Sequence, residues 1–140
     1  MAIKAISEAV KAAKQQLENL SVAELAKELR SGGDLLLADI RELQERVELG
    51  TIPGSKHVPR GMLEFWADPQ SPYFRDWFSE DRRTVLFCAG GQRSALAAKA
   101  LSDMGFTNVA HLETGFGGWK ESAEPVEDVR STSRWVRRDP

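Results

Sequence analysis

From Ile6 to Leu20 the apolar residues Ile6, Val10, Ala13, Leu17 and Leu20 recur at spacings of four and three, with Lys4 before them and Glu8, Lys11, Lys14 and Glu18 between them. This spacing predicts a helix over residues 4–20 with one apolar stripe. Such a stripe must be buried on its own domain or on a second copy of the chain, so a homodimer through this helix is a possible partner arrangement. Ser21 and Glu24 stand at capping-box spacing, so a second helix should begin near Val22 and stop at Gly32-Gly33.

The pattern then changes period. Leu35 to Ile40 is a short, nearly unbroken apolar run, as in a strand covered on both faces. His57-Val58-Pro59 predicts a brief strand that the proline ends, and Met62 to Trp66 one or two helical turns. Asp68 to Pro72 predicts a loop and Tyr73 to Phe78 another helix. Thr84 to Phe87 is β-branched and apolar, a central strand. From Ser94 an alanine- and leucine-rich helix runs to Gly105, and Asn108 to Leu112 predicts a third strand. Strands alternating with helices imply an α/β fold with a mainly parallel sheet and helices on both faces, preceded by the extra N-terminal helix. The expected organisation is a helical extension over residues 1–20, a domain over 21–122, and a polar tail over 123–140.

Composition narrows the class. The chain has 140 residues, 41% hydrophobic and 29% charged, which suits one globular domain. Its net charge of −2 argues against a general nucleic-acid partner. No apolar run is long enough for a transmembrane helix, and charges interrupt the first twenty residues where a signal peptide would be apolar. A reducing cytoplasm is the expected compartment. Arg130, Arg134, Arg137 and Arg138 are expected to lie on a solvated terminus.

Cysteine arithmetic singles out one residue. Cys88 is the sole cysteine, so no intrachain disulfide can form, and with only His57 and His111 a closed metal site is not expected. In a parallel α/β sheet, ligands gather beyond the carboxyl ends of the strands, where Cys88 falls. Cys88-Ala89-Gly90-Gly91-Gln92-Arg93-Ser94 joins that strand to the next helix. Adjacent glycines let the backbone curl so that successive N–H groups point inward, and the helix start adds its own free N–H groups. Arg93 can add a forked positive charge, although it could instead point outward and pair with a surface acid. These terms favour thiolate over thiol, and predict a reactive, partly exposed nucleophile. His57 and His111 are read as structural histidines.

The loop and its surroundings resemble the rhodanese family of sulfurtransferases. Cys88 to Arg93 is similar to that family's six-residue active loop, Asp39-Ile40-Arg41-Glu42 to its acidic-apolar-arginine-acidic segment, Gly50 to Pro59 to its proline-glycine segment, and Leu112 to Trp119 to its closing glycine-tryptophan segment. Thr114 stands where the family usually has a first glycine. The resemblance implies that Cys88 takes a sulfane sulfur from a donor such as thiosulfate, holds it as a persulfide, and yields it to cyanide or to a small or protein thiol, with no cofactor. Ala89, Gly90, Gly91, Gln92, Arg93 and Ser94 would bind substrate. Asp39, Arg41 and Glu42 would form a salt-bridged scaffold behind the loop. A non-catalytic docking module is the alternative. A cysteine-dependent phosphatase ranks below both, since those loops place five residues between cysteine and arginine and this one has four.

Overall fold

The computed structural model describes residues 2–132. Ile6–Gln15 forms α1, Glu18–Leu20 β1, Val22–Arg30 α2, Leu35–Asp39 β2, Leu43–Leu49 α3 and Lys56–His57 β3. A 3-10 turn at Arg60–Met62 leads into α4, Leu63–Ala67, and then come β4, Arg83–Phe87, α5, Gln92–Met104, β5, Val109–Leu112, α6, Gly115–Glu121, and α7, Val129–Thr132. The five strands make one parallel sheet in the order β1-β5-β4-β2-β3.

Both faces of the sheet are covered, because strand side chains alternate. Leu36, Ala38 and Leu86 face one way and pack with Leu63 and Ala67 of α4 and with Ala97, Ala98 and Leu101 of α5. Leu37, Val85, Phe87 and Ala110 face the other way and pack with Leu25 and Ala26 of α2 and with Phe116 and Trp119 of α6. Cys88, one residue past β4, follows the alternation onto the α5 face beside Leu86.

Two sequence expectations change. The first helix ends at Gln15, not at residue 20, and Glu18–Leu20 pairs with β5 from Ala110 to Leu112. Asn19 explains the break: its amide donates to the carbonyls of Lys14 and Leu17, and the open edge of β5 then takes the extended chain. The stripe of α1 is buried on its own chain at Val10 and Ala13, which pack against Ala95 of α5, while Ile6 at its start is exposed. Residues 73–78 form turns, not a helix, because the Arg75 N–H is drawn to the Trp66 carbonyl at 2.8 Å and Trp66 packs edge-on against Trp77. The segment after Glu121 touches the domain at a few points, while most of its described residues, Arg130 among them, are exposed. Thr51 and Glu127 form a bridge, Trp119 Nε1 donates to the Pro125 carbonyl, and Val129 is buried. Arg134, Arg137 and Arg138 lie outside the described residues.

Candidate active site

Gly91 shapes the loop. It is the N-cap of α5, at φ +93°, ψ 1°, a left-handed conformation that side chains resist, and a Cβ there would collide with the Glu113 carbonyl. With Gly91 in that conformation α5 begins at Gln92, two residues earlier than its composition suggests. The N–H groups of Gly91 and Ser94 donate to Cys88 Sγ at 3.2 and 3.4 Å. Ser94 Oγ lies 3.6 Å from the same sulfur.

The loop's carbonyls are held on the other side. The Phe116 N–H donates to the Cys88 carbonyl at 2.8 Å and the Gly117 N–H to the Ala89 carbonyl at 3.0 Å. These are first-turn donors of α6, which have no partner within their own helix. The approach is close enough that a Cβ on Gly115, at φ +65°, would sit 2.5 Å from the Ala89 oxygen. Thr114 takes the N-cap place of α6, so the departure from two adjacent glycines is accommodated without loss of the helix.

Electrostatically the site favours the anion. Burial pushes the Cys88 thiol up, while the Ser94 hydroxyl and the N–H groups of Ser94, Gly91 and Gly90 draw it down, and the balance is a thiol below its ordinary value. The expectation of a partly exposed cysteine is corrected, since Cys88 is 1% exposed. The sulfur lies at the floor of the loop, under the amides that bind it.

Arg93 is engaged elsewhere. Its Nη1 and Nη2 donate to Glu45 Oε2 and Oε1 of α3 at 2.9 and 2.8 Å, so it pairs with an acid at the rim and does not reach into the loop. The same guanidinium holds the Glu45 carboxyl down at about 2. The Gln92 and Ala89 side chains make no hydrogen bond to the sulfur.

Asp39 and Arg41 form a fully buried network behind the loop. Asp39 accepts from the backbone N–H, Nε and Nη2 of Arg41, from Arg46 Nε and from Thr51 Oγ1, all between 2.8 and 3.1 Å. The Arg41 guanidinium lies 4.4 Å from the centre of the Phe116 ring, and Phe116 in turn holds the Cys88 carbonyl. Glu42 stays outside this network: it opens α3, and its N–H donates to Glu45 Oε2 at 2.9 Å. His57 Nε2 meets the Arg41 carbonyl at 2.8 Å, a structural contact.

Sequence reasoning missed Glu45, Arg46, Thr51 and Asn19. Only Glu45 carried a local signal, since it stands three residues after Glu42 at capping-box spacing. Among the described residues no group of His, Cys, Asp and Glu is placed to hold a metal ion, and no helix is long and apolar enough to cross a membrane.

A buried thiol at the end of a central parallel strand, with helix-start amides donating to its sulfur, is a candidate nucleophile in an α/β domain. The chain belongs to the rhodanese-like domain family, whose model matches residues 21–122. It is 28% identical over 110 residues to the putative sulfurtransferase YtwF of Bacillus subtilis, covering 79% of this chain and 97% of that protein. Among solved structures it is similar to RPA3614 of Rhodopseudomonas palustris, a protein of unknown function described as a possible tyrosine phosphatase. That match has 45% identity and a TM-score of 0.87, and covers 91% of this chain and 97% of that one. The human single-domain sulfurtransferase TSTD1 matches with 27% identity and a TM-score of 0.64, covering 74% of this chain and 95% of that one.

Proposed function

We propose that this chain is a sulfurtransferase that carries sulfur on Cys88. The observation that supports this most is the pair of N–H groups, Gly91 and Ser94, aimed at Cys88 Sγ from the start of α5. In the first step the Cys88 thiolate attacks the sulfane sulfur of a donor such as thiosulfate. A bond forms between Sγ and that sulfur, the donor's sulfur–sulfur bond breaks, and its electron pair leaves on sulfite. In the second step cyanide or a thiolate attacks the outer sulfur of the persulfide, and the electron pair of the breaking bond returns to Sγ. Both steps carry negative charge past the loop, where preorganised N–H groups stabilise it. No other cysteine exists to discharge the persulfide as a disulfide, so an external acceptor is required. A reducing cytoplasm, rich in thiols, suits that need.

The names of YtwF and TSTD1 support the sulfurtransferase reading. The description of RPA3614 raises phosphate-ester hydrolysis, but the four residues between Cys88 and Arg93 make a smaller ring of amides than a phosphate requires. The burial of Cys88 favours a docking module as second reading. Intact-protein mass after thiosulfate and desalting, with an aryl-phosphate assay beside it, separates all three. The expected result is one added sulfur atom, lost on adding cyanide and absent in Cys88→Ser. Unmodified mass without sulfite release refutes the transfer reading, and turnover of an aryl phosphate in its place supports the phosphatase.

A further inference from the structure

Cys88 is the near end of a chain of polar groups that crosses the core to the edge of the sheet. Ser94 Oγ lies 3.6 Å from Cys88 Sγ and 2.9 Å from His111 Nδ1, and His111 Nε2 lies 2.6 Å from Asn19 Oδ1. Ser94 and His111 are both fully buried.

Asn19 sets the direction of every bond in this chain. Its amide nitrogen donates to the carbonyls of Lys14 and Leu17 at 2.9 and 3.1 Å, so its oxygen is the atom turned to His111. An amide oxygen only accepts, which puts the ring proton on His111 Nε2 and leaves Nδ1 bare. A bare Nδ1 accepts, and the Ser94 hydroxyl is the donor that faces it. Burial keeps the ring neutral, with its pKa pushed down to about 4. The charged groups that face the ring are Glu113, whose Oε2 lies 4.0 Å from Nε2 and favours the cation, and Lys14, which pairs with Glu113 at 3.1 Å and opposes it. Ser94 has one hydroxyl proton, and two acceptors compete for it: His111 Nδ1 and the Cys88 thiolate.

We propose that His111 is a positioning residue that acts on Cys88 through Ser94, holding the hydroxyl proton while Cys88 is a thiol and yielding it only as Cys88 ionises. In the resting state S–H donates to Ser94 Oγ and Oγ–H donates to Nδ1. When Cys88 gives its proton to solvent, the hydroxyl turns and donates to the sulfur, and buried Nδ1 is left without a donor. An unpartnered buried acceptor costs free energy, so His111 works against the loop amides and keeps the thiolate more basic than the loop alone would. The consequence for catalysis rests on the sulfurtransferase reading. A more basic thiolate is a stronger nucleophile in the first step and a poorer leaving group in the second. His111 therefore biases the cycle toward forming and retaining the persulfide, which suits a chain with one cysteine.

The test is the pH dependence of Cys88 alkylation by iodoacetamide on the full chain, which needs no sulfur donor. His111→Leu removes the competing acceptor and is expected to lower the thiol pKa by about one unit, the worth of one hydrogen bond to a charged group. Ser94→Ala removes the donor and is expected to raise it. In the Ser94→Ala background His111→Leu should have no further effect, since the coupling runs through Ser94. A loosened core would not produce opposite signs at adjacent links. If His111→Leu does not fold, Asn19→Ala, at an exposed position, unpins the ring proton and should shift the pKa down by less. An unchanged or raised pKa in His111→Leu or Asn19→Ala, or a His111→Leu shift that persists without Ser94, would overturn the proposal. Failure to form a persulfide in the parent protein would sink the transfer reading alone and leave the alkylation result standing.

Discussion

A methyl group at Gly91 would test the loop where conformation and chemistry meet. Gly91 stands at φ +93°, and an added Cβ would collide with the Glu113 carbonyl oxygen and lie 2.9 Å from its carbon. Left-handed backbone costs a side-chain-bearing residue about 1–2 kcal/mol, and displacing packed backbone adds a similar amount, so Gly91→Ala should lose about 2–4 kcal/mol. For a chain of this size that lowers Tm by about 6–12 °C. Relief of the collision moves the Gly91 N–H away from Cys88 Sγ, now 3.2 Å distant. Losing one hydrogen bond to a thiolate raises the thiol pKa by about 1–2 units. Thermal melts and the alkylation profile measure the two effects. Gly90→Ala is the internal control, because a Cβ there meets open space and its φ is ordinary. That variant should melt and alkylate like the parent. Gly91→Ala behaving like the parent would refute the reasoning, and so would equal damage from both substitutions.

Asp39→Ala leaves Arg41 and Arg46 buried without their carboxylate, and should lose about 3–5 kcal/mol in urea unfolding. Glu45→Gln breaks a rim pair worth under about 1 kcal/mol but frees Arg93 to face the loop, so KM for thiosulfate should fall, and adding Arg93→Ala to that variant should cancel the gain. Glu45 is held at about 2, below its ordinary value of 4.5, so its share of stability is complete above 4.5 and is lost as pH falls toward 2. Glu45→Gln should flatten the acid unfolding profile in that window. His111 behaves with the same proton count in a higher window: burial lowers it from 6.5 to about 4, the unfolded state binds the extra proton, and stability falls as pH drops from 6.5 toward 4. A pH series of urea midpoints should show that loss, and His111→Leu should remove it.

Short-range sequence patterns were enough to read the elements that local rules encode. Three central strands, the capping box at Ser21 and Glu24, and the strand–glycine–helix context of Cys88 are written in residues only a few positions apart, where period, turn chemistry and helix capping act. Tertiary structure decided what depends on partners far along the chain. Glu18 to Leu20 continues the helical stripe of α1, yet β5, about ninety residues later, offers a free strand edge and takes it as β1. Arg93 looks like a substrate ligand by position, yet Glu45, 48 residues earlier, lies in bidentate reach and the two ions pair. The loop carbonyls turn away from the sulfur only because α6 brings unsatisfied N–H groups against them. Ser94, His111 and Asn19 line up because α5, β5 and β1 are neighbours in the fold, with 92 residues separating the two ends of the His111–Asn19 bond. Local propensity is additive along the chain and leaves a readable trace. Pairing between distant groups is set by which surfaces the packed core brings together, and no window of sequence contains it.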